Sequence, residues 1–320
     1  MDIPATALAI RRGDRLALAR GLTQVENDTP AGRELLSLLF AEGGQAHLIG
    51  VTGAPGTGKS SLVNALAAFY RRTRQVKVGV VAVDPTSPFT GGALLGDRVR
   101  MRDLATDPGV FVRSMAARGA LGGLAHTTAA VVQLMDAAGY EVILIETVGA
   151  GQSEVDIVRL AHTTLVIEAP GLGDDIQAIK AGILEIADIL VVNKADQPGV
   201  ENTERALMSM LEMEHHGFEG DPTHWIPPVL RSIASRNEGI EALAEAIQRH
   251  QIFLKNSGEW QRREAARLKG ELHVLVQELL VQAWQEALPE NAYQQTLEAL
   301  LSRQTSPHQA AQDLLRYTHR

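Results

Sequence analysis

Along the chain, short uninterrupted apolar runs alternate with stretches in which apolar residues recur every three or four positions. The first pattern is that of strands buried on both faces, the second that of amphipathic helices. Residues 1–45 carry only the second. ATALAIRRGDRLALARGL alternates apolar and basic positions at helical spacing, and Thr29-Pro30 then opens AGRELLSLLFAEG, which Gly43 closes. From 46 to about 251, strand-length apolar runs stand at Ala46–Val51, Val76–Val83, Val110–Val112, Val142–Ile145, Leu165–Ile167, Ile189–Val192 and Val229–Ile233, with helical segments between them. Such alternation predicts an α/β fold with a doubly wound, mostly parallel sheet and right-handed crossovers. After Gly258 the strand pattern stops: a long helical stretch runs on from Glu259, Pro289 breaks it, and two shorter ones follow. Leu272, Leu275, Val276, Leu279, Leu280 and Ala283 form an apolar stripe there, which packs either on its own domain or on another molecule. The expected organisation is a helical extension over 1–45, an α/β domain over 46–252 and a helical arm over 253–320.

Composition narrows the field. With 320 residues, 45% of them hydrophobic and 21% charged, the chain can hold one large core plus appended elements. A net charge of −8 argues against nucleic acid or an anionic membrane as the main partner. The absence of cysteine excludes disulfides, thiol catalysis and thiolate metal sites. The ten histidines are scattered apart from His215-His216, a pair read as solvated or as facing a helix end. No run is long and apolar enough to span a bilayer, and the amino-terminal stretch lacks the order of a secretion signal, so the expected location is the cytoplasm.

The chemistry sits at the carboxyl ends of the apolar runs. Gly53, Ala54, Pro55, Gly56, Thr57, Gly58, Lys59 and Ser60 follow the first run directly and form a phosphate-binding loop, with Ser61 next in the helix it opens. Its glycines let consecutive backbone N–H groups turn inward around an anion, Lys59 reaches the β and γ phosphates, and the Ser60 hydroxyl suits Mg2+. The fold is accordingly expected to be that of a P-loop NTPase. Asn193, Lys194 and Asp196 follow the run Ile189–Val192, also at a carboxyl strand end where α/β proteins bind ligands. A carboxylate at Asp196 accepts from the ring N–H and exocyclic amine of guanine, whereas adenine offers no such pair of donors. The nucleotide is therefore expected to be GTP or GDP. Between the two motifs lies IETVGAGQSE, whose Glu146 offers a carboxylate to the magnesium shell and whose Gly149 offers an amide to the γ phosphate. Ala150 stands where Ras-type GTPases carry the glutamine that orients water, so unassisted hydrolysis is expected to be slow, on the order of 10⁻⁴ to 10⁻² per second. A Pro/Gly-rich loop, VDPTSPFTGGALLGDRVRM, adds Asp84 and Asp97 as magnesium candidates, and Arg98, Arg100 and Arg102 are close enough in sequence to answer phosphate charge.

Taken together, GAPGTGKS, VDPTSPFTGGALLGDRVRM, IETVGAGQSE and NKAD resemble the MeaB/ArgK group of metallochaperone-type P-loop GTPases, over roughly residues 1–320. The resemblance implies a GTPase that binds an adenosylcobalamin-dependent acyl-CoA mutase, methylmalonyl-CoA mutase or a relative, gates loading of its cofactor and protects it. It implies a homodimer built through the arm. By matching position it gives Lys59, Glu146 and Asp97 catalytic roles, Ser60, Asp84, Asp97 and Glu146 the magnesium and switch shell, and Asp174, Gln177 and Lys180 the polar elements of a further mobile switch. That last segment also reads as a capped helix start. One departure concerns the last guanine-binding segment, where the family usually shows Ser-Ala. Here the string is Ser232-Ile233-Ala234, in which Ala234 still offers a backbone N–H to the guanine carbonyl. The competing readings are a stand-alone P-loop kinase or transport ATPase and a nickel-insertion GTPase, the latter disfavoured by the missing cysteines. The chain also lacks the Asp-x-His-x-x-Gly string of proteins that carry cobalamin themselves.

Overall fold

The computed structural model describes residues 1–85, 106–117, 123–147, 159–171, 186–214, 216–218, 221 and 223–319. Asp97, Arg98, Arg100, Arg102, Gly149, Ala150, Asp174, Gln177, Lys180 and His215 lie outside them, and of Asp84 only the backbone is described.

Seven strands form one sheet: β1 (His47–Thr52), β2 (Val78–Pro85), β3 (Val110–Ala117), β4 (Val142–Thr147), β5 (Thr163–Glu168), β6 (Ile189–Val192) and β7 (Val229–Arg231). Their order is β3-β2-β4-β1-β5-β6-β7, and every pairing is parallel. The phosphate-loop strand β1 is thus central. Every residue of β1, β4, β5 and β6 is buried, which is why they read as continuous apolar runs rather than as alternating ones.

The period of two still sorts their side chains to opposite faces. Leu48, Val81, Ile143 and Ile145 join one core with helices α1 (Ile3–Arg11), α2 (Arg15–Glu26), α3 (Pro30–Leu39) and α5 (Gly123–Ala137). Ile49, Val51, Val80 and Leu144 join the other, beneath α4 (Lys59–Phe69) and α7 (Ile240–Ser257). Helix α6 (Val200–Glu214) covers the β5–β6 end of the first face through Val200, Leu207 and Leu211. Each fully buried Leu or Ile contributes about 1.5–3 kcal/mol to this arrangement.

Two sequence expectations are refined. The first helical stretch divides at Gly13, because Asp14 Oδ1 accepts from the N–H groups of Leu16 (2.8 Å) and Ala17 (3.0 Å) and so caps a new helix. Strand β3 runs five residues beyond Val112, carrying Arg113, which pairs with Glu26 of α2.

Polar side chains close the sheet at the amino ends of its strands. His47 Nε2 shares a 2.7 Å hydrogen bond with Thr163 Oγ1, which also meets His250 Nδ1 at 2.9 Å. His250 Nε2 lies 3.2 Å from Asp188 Oδ1, and Asp188 accepts two 2.8 Å bonds from the Arg263 guanidinium and one from Thr164 N–H. Arg263 belongs to α8 (Glu259–Ala287), as do Trp260, stacked 3.9 Å from the His162 ring, and Glu264. His162 Nδ1 accepts from Leu48 N–H, so the imidazole carries its proton on Nε2 and donates it to Glu264.

Burial, more than any neighbour, holds His47 well below the usual imidazole range and lowers His162 too. Burial alone would raise Glu264, but hydrogen bonds from His162 and Arg267 bring it down to about 2. The unfolded chain therefore takes up protons near the ordinary imidazole value of 6.5 that the folded chain refuses. Stability should fall as pH drops below that point, by up to about 2.7 kcal/mol per unit for the two histidines. The Glu264 contribution persists above its unfolded value of 4.5 and is lost as pH falls from there toward 2. Urea denaturation at pH 7.5 and 5.5 checks this: the midpoint should be lower at 5.5, and an equal or higher midpoint refutes the assignment.

Contacts divide the chain into two compact units, residues 1–267 and 268–320, and α8 crosses the division. In the second, α9 (Ala292–Leu301) and α10 (Pro307–Leu315) bury Ala292, Ala310 and Leu314, and Trp284 Nε1 donates to Leu314 O at 3.1 Å. No residue of α8 is buried, and Leu272, Val276, Leu279 and Leu280 of the stripe are exposed. No helix among the described residues is long and apolar enough to cross a membrane.

Candidate functional site

The loop 53–58 leaves the carboxyl end of β1 and enters α4, whose first turn has no side-chain cap. Its leading N–H groups are thus available to an anion, and the helix dipole favours one. Two glycines are dictated by close approach. A Cβ on Gly53 (φ 137°) would lie 2.1 Å from Ile167 O, and one on Gly58 (φ 94°) would lie 2.5 Å from Asn193 Nδ2. Lys59 is buried, its Nζ folded back over the loop onto Gly53 O (2.7 Å) and Ala54 O (3.0 Å). Thr57 Oγ1 donates to Ala54 O at 2.9 Å, while Pro55, Gly56 and Ser61 face solvent.

Beside the loop, Ser60 Oγ donates to Glu146 Oε1 at 2.5 Å. Glu146 is buried near the end of β4, where its register places it against Val51 of β1 and Ala82 of β2. Thr147 Oγ1 reaches Thr52 Oγ1 at 3.3 Å and ties the ends of β4 and β1. Two hard oxygen donors, a hydroxyl and a carboxylate, thus converge at the mouth of the phosphate loop. That donor set fits Mg2+, which takes one or two protein oxygens and leaves its other positions to phosphate and water.

Asn193 organises the other end. Its Nδ2 donates to Thr57 O at 2.8 Å, and its Oδ1 accepts from Ser232 Oγ and from Ala234 N–H, each at 3.1 Å. Lys194, at φ 56°, sends Nζ to Gly56 O at 2.7 Å. These bonds lash both motifs and the turn after β7 into one body. Ser232, two residues before Ala234, supplies a hydroxyl to the asparagine even though Ile233 has none. Ala234 N–H, expected from sequence to face the guanine carbonyl, reaches Asn193 in this structure. Asp196 stands at the exposed edge and pairs with Arg236 at 3.3 Å. Arg236 gave no signal in the sequence, forty residues away from its partner.

The structure therefore brings together Gly53–Ser61, Glu146, Asn193, Lys194, Asp196, Ser232 and Ala234. A phosphate loop at the end of a central parallel strand, coupled to an Asn-Lys-x-Asp loop two strands away, defines the class: this is a P-loop GTPase. The comparisons with known proteins agree. The family described as Methylmalonyl Co-A mutase-associated GTPase MeaB matches residues 18–288. A protein of Pyrococcus abyssi, named as a GTPase with no further role, is 43% identical over 96% of this chain and 94% of its own length. The GTPase ArgK of Escherichia coli is 38% identical over 79% of this chain and 77% of its own. A crystal structure described as LAO/AO transport system kinase covers 99% of this chain and 98% of its own, with a TM-score of 0.71 at 27% identity. The chain belongs to the MeaB family of P-loop GTPases.

Proposed function

We propose that this GTPase acts on a partner enzyme, assisting an adenosylcobalamin-dependent acyl-CoA mutase, methylmalonyl-CoA mutase or a relative, in loading and protecting its cofactor in the cytoplasm. The mutase is named in the description of the matching family, and a Caenorhabditis briggsae relative, 33% identical over 80% of this chain and 66% of its own length, is named Methylmalonic aciduria type A homolog, mitochondrial. The observation that carries the nucleotide half of the reading is the bond from Asn193 Nδ2 to Thr57 O, which sets a base-recognising loop at fixed reach from a phosphate loop.

In this reading Lys59 leaves the loop carbonyls for the β and γ phosphates of GTP, and the uncapped N–H groups of α4 hold the same oxygens. Ser60 and Glu146, with Asp84 and Asp97, would hold Mg2+, which when bound neutralises charge building on the phosphate oxygens. Gly149 offers its amide to the γ phosphate, and Asp174, Gln177 and Lys180 report the nucleotide state to the mutase. Asn193, Lys194 and Asp196 select guanine, braced by Ser232 and Ala234. The exposed stripe of α8 supports a homodimer built through the arm over 253–320.

The test is recovery of a mutase on the immobilised protein with a nonhydrolysable GTP analogue, followed by a GTPase assay with that mutase. Alone, the protein should turn over GTP on the order of 10⁻⁴ to 10⁻² per second. With the mutase the rate should change clearly. Several turnovers per second unaided, or no response to any mutase, contradict the proposal. The kinase reading, suggested by the name of the solved neighbour, requires instead that ATP bind as tightly as GTP.

A further inference from the structure

We infer that Arg236 is a specificity-determining residue for the base, holding the Asp196 carboxylate in the orientation that receives guanine. The inference rests on the guanine reading above and adds to it a residue that no sequence motif marks.

Asp196 needs a holder. Its side chain is about a third exposed, and a carboxylate that swings freely about its last bond must lose that freedom whenever a base docks. The neighbouring turn does not supply a hydroxyl at 233, since Ile233 carries only hydrocarbon. What the structure places against Asp196 is the guanidinium of Arg236, 3.3 Å from Oδ2.

The turn that carries Arg236 is itself fixed. Ile233 N–H donates to Glu238 O at 3.0 Å, Glu238 N–H returns to Ile233 O at 3.3 Å, and Arg236 N–H closes onto Ile233 O at 2.9 Å. Ala234 of the same turn is bonded to Asn193, so the turn keeps its place relative to the base loop. Arg236 and guanine are compatible partners rather than rivals. A carboxylate has about four lone-pair positions, enough for two donors from the base edge while the arginine stays beside it as an ion pair. Arg236 is more than half exposed, at 59% of its side chain, so its effect on Asp196 is modest.

Inosine diphosphate, which lacks the 2-amino group of GDP, isolates the contact. In competition binding with the full-length protein, the wild type should prefer GDP over inosine diphosphate. Arg236→Ala should shrink that ratio by roughly two- to fivefold, the range an exposed ion pair supports, mainly through weaker GDP. Arg236→Lys should restore part of it, and 1 M salt should erase the difference between wild type and Arg236→Ala. A purely structural role would weaken both nucleotides together and leave the ratio unchanged, and competition with guanine would raise the ratio; either result overturns the inference. Asp196→Ala, measured in parallel, separates the two levels: if it leaves the preference for GTP over ATP intact, the guanine reading itself has failed and Arg236 with it.

Discussion

Asp196→Asn should move the base preference of this GTPase from guanine to xanthine. In the proposed pocket guanine would present two donors to the Asp196 carboxylate, its ring N–H and its exocyclic amine, and a carboxylate accepts both. The asparagine amide has one acceptor and one donor, so one N–H group would meet another across the contact. Losing a charge-assisted bond of about 1.5–3 kcal/mol and leaving a donor unpaired lowers GDP affinity by about 100-fold or more. Xanthine carries a carbonyl where guanine carries its amine, and that oxygen accepts from the new amide. Competition of GDP and xanthosine diphosphate against a fluorescent nucleotide reads both changes. An Asp196→Asn protein that still favours GDP would show that the acid does not read the base.

The second large effect concerns stability, at the opposite end of strand β6. Asp188 and Asn193 flank that strand of four residues, so they lie on the order of 15 Å apart. Burial, the largest influence on Asp188, would raise its pKa, yet hydrogen bonds from His250 and Arg263 hold it below the usual carboxylate range. The same two groups and Thr164 N–H depend on it. Asp188→Ala removes the anion while a fully buried imidazole and a half-buried guanidinium stay behind, and breaking a buried pair from one side costs about 3–5 kcal/mol. Asp188→Asn should lose less, because its amide oxygen still accepts from Thr164 N–H. Denaturant titration gives both values, and a loss under about 1 kcal/mol for the alanine variant would mean that the network contributes little. The nucleotide preference should survive in either variant, since the change lies at the far end of the sheet.

These two residues mark what neighbours in the chain make legible and what only the folded sheet brings together. Asp196 belongs to a contiguous string at the end of an apolar run, and string and run follow from neighbours in the chain. The same holds for the phosphate loop, for Glu146 at the end of β4 and for the parallel sheet itself, whose doubly buried strands leave uninterrupted Val, Ile and Leu. Asp188 precedes the same strand and looks like any polar residue at a strand start. Its partners His250 and Arg263 come from helices more than sixty residues further on, and His47 and His162 meet only through the folded sheet. Three of the scattered histidines, His47, His162 and His250, thus form a buried group in space. Arg113 shows the same limit within one element: a charged residue breaks the apolar run and hides the second half of β3, because the Glu26 that neutralises it lies on α2. Ser232 lies between these cases, visible in the sequence as part of the string after β7, yet its hydroxyl finds Asn193 at 3.1 Å only in the fold.

The proposed function depends above all on the loop at Asn193 and the loop at Gly53 forming one pocket for a guanine nucleotide. Calorimetric titration of the wild-type protein with GDP and with ADP, both with Mg2+, tests this most directly. A pocket built to hydrogen-bond the guanine edge should bind GDP at least about 1,000-fold more tightly than ADP. Equal affinities for the two would contradict the account.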